Sequence, residues 1–294
     1  MNLKYVFEIQ SGLKKYKFIP TRLETSNILD GSYSSIYKGR SLNFDELREY
    51  VEGDELKDVD WKASARSRKL LVRQYVAEKK HSFMLILDTN KRMLADTKNG
   101  GSKANAAIHA AGTFAYLVNL NGDYISSMYS ADGKITGTPL KNGVYNIESI
   151  LSSYDKEVHK GNNTDIHGVL KYVASTVKKK QMLFMVTDFE QFSTIDEKTL
   201  TTLMTNHELM VVLVSDVDIH GKRVFNNDNG EYLPAYISES RILKKQEIKR
   251  KEAIYKKANH MLECHGVAHI VIDGTDDIDL NIIKLLEIKK GIKK

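Results

Sequence analysis

The chain has 294 residues, 41% of them hydrophobic and 28% charged, which suits one large or two smaller globular domains and excludes a disordered chain. One cysteine, Cys264, excludes an intramolecular disulfide framework and suits a reducing compartment. The net charge of +6 comes from 44 basic and 38 acidic residues that are largely interleaved, so a solvated surface accounts for it and no nucleic-acid partner is expected.

The N-terminus, "MNLKYVFEIQSGLKKYKF", lacks the apolar segment of a signal peptide or anchor. No apolar run approaches the length of a spanning helix, so a soluble, cytoplasmic protein is expected. Before about residue 80 the pattern is one of short strand-like pieces and polar turns. Within it lies "EGDELKDVDWKASARSR", which holds the only tryptophan, Trp61, in dense charge. "DVDWKASARSR" has helical potential, with Asp58 or Asp60 near its N-terminus, where negative charge is favoured. Val59 and Ala63 would share a face, and Trp61 is expected to pack against a neighbouring strand or the following domain. Arg48, Arg66 and Arg73 are available to pair with Asp54, Asp60 and Glu78. The segment reads either as an internal clamp or as a surface that receives a partner.

Beyond residue 80, short and nearly continuous apolar runs alternate with helical patterns. The runs are "SFMLILD" (82–88), "YISSMYS" (124–130), "MLFMVTD" (182–188), "LMVVLVSD" (209–216) and "AHIVID" (268–273). Such runs read as strands covered on both faces. The helices are expected over 103–120, over 164–180 with Thr164 as N-cap, over 195–207, over 238–266 ending at Gly266, and in "DDIDLNIIKLLEIKKG". This alternation implies right-handed crossovers and a doubly wound, mostly parallel α/β sheet.

Four strands end in aspartate: Asp88, Asp188, Asp216 and Asp273. The carboxyl ends of strands in such a sheet face the crevice where ligands bind. Asp216 and Asp273 read as turn or capping residues. Converging carboxylates at Asp88 and Asp188 would suit a hard divalent cation such as Mg²⁺.

"LILDTNKRM", followed by an Ala-rich helix, then "GNNTDIHGVL" and "FMVTDFE", resembles a von Willebrand factor type A domain with its metal-ion-dependent adhesion site. By position, Asp88 stands for the first aspartate of an Asp-x-Ser-x-Ser loop, Asn90 and Arg92 for its serines, Thr164 for the threonine and Asp188 for the last aspartate. The resemblance thus implies a degenerate site of Asp88, Asn90, Thr164 and Asp188. The guanidinium of Arg92 cannot coordinate a cation and is expected to pair with Asp88 or Asp188. No cofactor is required by this reading, and Mg²⁺ is the ion such a site would take.

The stretch 39–80 resembles the bacterial domain-of-unknown-function 58 family, whose hallmarks match Arg48, Tyr50, Gly53 and Asp54, then Asp60 and Trp61, then Ala65 and Arg66, with Glu78 closing. The organisation this implies is an extension over 1–80 and an A-like domain over 81–290. The function it implies is a non-enzymatic adaptor for a MoxR-type AAA+ ATPase in complex maturation or stress response. No P-loop, dinucleotide fingerprint or G-x-S-x-G elbow occurs. His260, Cys264 and His265 make a poor zinc set, and His81, His109, His159 and His167 lack carboxylates at telling spacing. Two alternatives stay open: metal-assisted phosphoryl transfer at Asp88 and Asp188, and peripheral binding of an anionic membrane or nucleic acid through 241–257 and 289–294.

Overall fold

The computed structural model describes residues 3–14, 37–38, 44–75, 79–97, 99–215, 225–226, 231–232, 241–274 and 276–291. These fall into two compact units. Helix α1 (Lys4–Lys14) belongs to the larger unit with everything described from Ser82 onward, whereas the sequence groups it with the N-terminal extension. The described residues between 37 and 81 form the smaller unit.

The smaller unit pairs β1 (Tyr37–Lys38), β2 (Phe44–Glu49), β3 (Leu71–Tyr75) and β4 (Lys79–Lys80) as two antiparallel ribbons, β1 with β4 and β2 with β3. Helix α2 (Trp61–Ser67) joins β2 to β3. Asp60 caps it, accepting from the Ala63 amide at 2.9 Å, because a carboxylate there meets unsatisfied N–H groups and the positive helix end. Gly53 turns the chain before it at φ 106°, a conformation that favours glycine.

In the larger unit, β5 (Ser82–Leu87), β6 (Tyr124–Ala131), β7 (Lys134–Gly137), β8 (Met182–Asp188), β9 (Glu208–Val214) and β12 (Ala268–Ile272) form one sheet in the order β12-β9-β8-β5-β6-β7. All neighbours are parallel except the edge hairpin β6–β7. The strands β10 (Phe225–Asn226) and β11 (Glu231–Tyr232) pair separately. Every residue of β5, β8 and β9 is buried, which matches their continuous apolar runs.

Helices α3 (Lys103–Leu120), α4 (Val144–Val158) and α9 (Ile278–Gly291) supply one hydrophobic core, together with α1. Helices α5 (Ile166–Thr176), α7 (Glu197–Asn206) and α8 (Arg241–Cys264) supply another, and short α6 (Phe189–Ser193) follows β8 directly. Phe114 of α3 stacks on Phe184 at 4.1 Å between ring centres and meets Phe83 edge-on at 5.7 Å. Helix α1 is amphipathic and buries Val6, Ile9 and Leu13. Glu148 of α4 accepts from the Tyr5 and Val6 amides, satisfying two orphan donors of that helix from a neighbouring one.

Thr164 does not cap α5, contrary to expectation. Asp165 does, accepting from the His167 and Gly168 amides at 2.9 and 3.1 Å, and the Thr164 hydroxyl lies instead against Thr89. Two of the expected strand ends also shift slightly. Strand β9 ends at Val214, and Asp216 lies outside the described residues. Asp273 is exposed, and its carbonyl accepts from the Asn99 amide of a distant loop.

Replacing Phe114 by alanine removes a side chain that is stacked, edge-packed and fully buried. A loss of about 3–5 kcal/mol is expected from cavity formation, read as a lower urea midpoint at unchanged slope.

Candidate functional site

The carboxyl ends of β5 and β8 bring Asp88 and Asp188 together, both with only 1% of their surface exposed. The backbone dictates this meeting, because β5 and β8 are adjacent and parallel and each acid stands at its strand's end. Asp88 Oδ1 accepts from the Asn90 amide at 2.9 Å, and Oδ2 accepts from the Thr187 hydroxyl at 2.6 Å. The Tyr154 hydroxyl donates to the Asp88 carbonyl at 2.8 Å. Asp188 caps α6 through Oδ1, which accepts from the Gln191 amide at 2.8 Å.

Asp188 Oδ2 accepts from the Lys103 ammonium at 3.2 Å. This lysine opens α3 and is completely buried, yet no sequence motif singles it out. Burial and the neighbouring Asp188 carboxylate push the Asp88 carboxyl up to about 7, while Thr187, the Asn90 amide and Lys103 pull the other way.

Arg92 pairs with Glu190, a partner its place in the sequence does not point to. Its Nη1 lies 2.9 Å from Glu190 Oε2, and Arg250 Nη2 lies 2.8 Å from Glu190 Oε1. The reason is local: Asn90 accepts from the Arg92 amide through its side-chain oxygen, opening the short 3₁₀ turn Lys91–Leu94, and α6 presents Glu190 beside it. Asn90 is equally committed through its nitrogen, which donates to Asn163 Oδ1 at 3.0 Å and to the Thr164 carbonyl at 2.6 Å. Thr164 Oγ1 lies 3.2 Å from Thr89 Oγ1, which itself donates to the Ser130 carbonyl.

The adhesion-type donor set therefore does not fit a divalent cation. Every carboxylate oxygen of Asp88 and Asp188 already accepts from this chain, an ammonium sits on Asp188, and the Asn90 amide oxygen is used within its own turn. Among the described residues no cluster of three or more His, Cys, Asp or Glu side chains is placed to hold a metal.

The smaller unit assembles most of its signature residues by ion pairing. Arg48 clamps Asp54 through two bonds of 2.7 and 2.6 Å, and Asp54 also accepts from the Val51 amide. Arg73 Nε donates to Asp60 at 2.9 Å. The Tyr50 amide donates to the Leu70 carbonyl. Arg66 is exposed, and Glu78 lies outside the described residues. Trp61 is 64% exposed rather than packed, so its indole is offered to solvent.

Several histidines have carboxylate neighbours: His109 lies 3.3 Å from Asp279 and His167 2.8 Å from Asp196, which spacing does not reveal, and His159 lies 3.1 Å from Asp155, four residues before it, contrary to expectation. His109 on α3 and His159 just after α4 line one cavity with Tyr5 and Asp155, whereas His167 lies apart on α5. Cys264 and His260 touch on α8 at 3.5 Å, exposed and without a second cluster among the described residues.

Residues 46–220 match the family described as protein of unknown function DUF58. The chain belongs to that family. Uncharacterized proteins of Mycobacterium tuberculosis and Mycobacterium bovis are 20% identical to it over 201 residues, which is 67% of this chain and 62% of theirs. The DUF58 chain thus spans about three-fifths of the curated relatives it matches. Solved structures similar to it include an aerotolerance-related membrane protein from Bacteroides fragilis, at 14% identity and TM-score 0.42, covering 70% of this chain and 98% of that one. The SpRpn10 VWA domain is similar at 9% identity and TM-score 0.38, covering 71% and 96%. The pilus adhesin SpaC from Lactobacillus rhamnosus GG is similar at 10% and 0.45, covering 73% and 30%. The six-stranded sheet with its antiparallel edge is von Willebrand A-like. Among the described residues no helix is long and apolar enough to cross a membrane.

Because folded Asp88 keeps its proton to higher pH than an unfolded aspartate, folding takes up a proton between about pH 4 and 7. Asp88 therefore contributes a loss of stability as pH rises through that window. Asp88→Asn is expected to flatten this part of the profile, checked by urea midpoints measured across it.

Proposed function

We propose that this DUF58 chain is a non-enzymatic protein-interaction module, an adaptor for a MoxR-type AAA+ ATPase in protein-complex maturation or stress response. The observation that carries the reading is the exposed face of α2. Trp61 stands 64% exposed among Lys62, Arg66, Arg68 and Lys69, all exposed, and no acidic residue occurs from 61 to 70. An indole fringed by cationic side chains has the composition of an interface anchor with a charged rim. Its charge complements an acidic protein surface.

The closed crevice supports the same reading. A metal-assisted phosphoryl-transfer enzyme needs carboxylates free to engage a metal or a substrate, and here Lys103, Thr187 and backbone amides from the same chain engage them. The anionic-surface alternative draws on α8, where Lys245, Lys249 and Lys256 are exposed. Glu252 and Glu263 are exposed on the same helix and dilute that charge.

Affinity capture of the tagged full chain from its native lysate, in Mg²⁺ and in EDTA, tests the proposal. An AAA+ ATPase is expected in both arms. Trp61→Ala, and separately the pair Lys62→Glu with Arg66→Glu, are expected to cut its recovery about tenfold or more, as for an interface hot spot. Neither change should move the unfolding midpoint much, because these side chains are exposed. An AAA+ ATPase absent from both arms overturns the adaptor reading.

A further inference from the structure

Lys103 occupies an expensive position. Its ammonium is stripped of water at 0% exposure, and it lies on the first residue of α3, where the positive end of the helix dipole repels a cation. Helix capping does not call for it, since Ser102 already caps α3 by accepting from the Asn105 amide. An anionic partner is needed to hold it there, and Asp188, with its oxygen 3.2 Å away, supplies that charge. Arg92 and Arg250 both pair with Glu190 on the neighbouring α6.

We propose that the Lys103 ammonium, paired with Asp188, is the resident cation of this crevice, where a divalent metal would otherwise compete. The face at the strand ends is then assembled by the chain itself and does not depend on metal. This does not rest on the adaptor reading, because it concerns how the crevice is built and not what docks on it.

The purified full chain tests it directly. Wild-type unfolding midpoints in MgCl₂, MnCl₂ and EDTA are expected to coincide, and Mn²⁺ titrated against the wild type should keep its free-ion electron paramagnetic signal. Lys103→Ala and Lys103→Gln are expected to lower the midpoint in EDTA. They should also acquire a single Mn²⁺ site per chain that raises the midpoint again and disappears when Asp188→Asn is added. One-to-one Mn²⁺ binding by the wild type would overturn the proposal. So would Lys103 variants that fold but bind no Mn²⁺, or whose midpoint in EDTA equals that of the wild type. If neither single variant folds, the neutral pair Lys103→Gln with Asp188→Asn decides: it should be more stable than Asp188→Asn alone, and a double variant no better than that single one refutes the ion pair.

Discussion

A buried ammonium paired with the buried Asp188 carboxylate, beside the equally buried Asp88, organises the carboxyl ends of the central strands. Lys103 comes from α3, Asp88 from the end of β5 and Asp188 from the end of β8, so three elements distant in sequence are tied at one point. The charges are costly to bury, and breaking such a pair by removing one partner is far more damaging than never having built it. That asymmetry fixes where α3 begins relative to β8. It also sets the position of Phe114, which lies about three helical turns further along α3 and stacks on Phe184 of β8. The ionic contact at the top and the aromatic contact below thus register the same helix on the same strand.

The arrangement propagates outward in alternating charge. Asp188 caps α6, and the first turn of α6 carries Glu190, which is nearly buried between Arg92 and Arg250. An inner cation, an acid, a second acid and two outer arginines follow from crevice to surface. Arg250 belongs to α8, so the second core is joined to the same ionic layer. Glu190 would be an uncompensated buried charge without its arginines, which explains why Arg92 is held against it.

The smaller unit is built on the opposite balance. Its buried apolar residues among those described are few, Val59 and Val72, and its geometry comes from the Arg48–Asp54 and Asp60–Arg73 pairs at partial exposure. Such pairs add little stability but hold direction well when they are bidentate, as Arg48–Asp54 is. A small unit with so little core leaves large apolar side chains outside: Val51, Leu56 and Trp61 are each more than 60% exposed. Within this segment the ion pairs and the exposed apolar side chains fall on different residues. The paired charges tie residues of the smaller unit to one another, and Trp61 is exposed.

What is legible in the sequence is what depends on local periodicity. The continuous apolar runs mark β5, β6, β8, β9 and β12 and their parallel pairing, and the Ala-rich stripe marks α3 from its first residue to its last. Helix α1 also carries a local pattern, Val6, Ile9 and Leu13 at helical spacing, that the expected helices do not include, and Glu148 and α3 add tertiary support that no local pattern shows. Nearness in sequence points from Arg92 to Asp88, whereas the true cation is fifteen residues from Asp88 and opens a helix. A lysine in a first turn ordinarily reads as solvated, and nothing local distinguishes Lys103 from Lys91 or Lys98. Its burial is decided by the crossing of α3 over β8, which is a property of the assembled sheet. For Trp61 the expectation of packing rests on how much an indole loses by staying in water. It stays exposed because the neighbouring face of α2 is tied to β3 by Ser64, whose hydroxyl accepts from the Leu71 amide, so the helix cannot turn the indole inward without losing that bond and the Asp60 cap together.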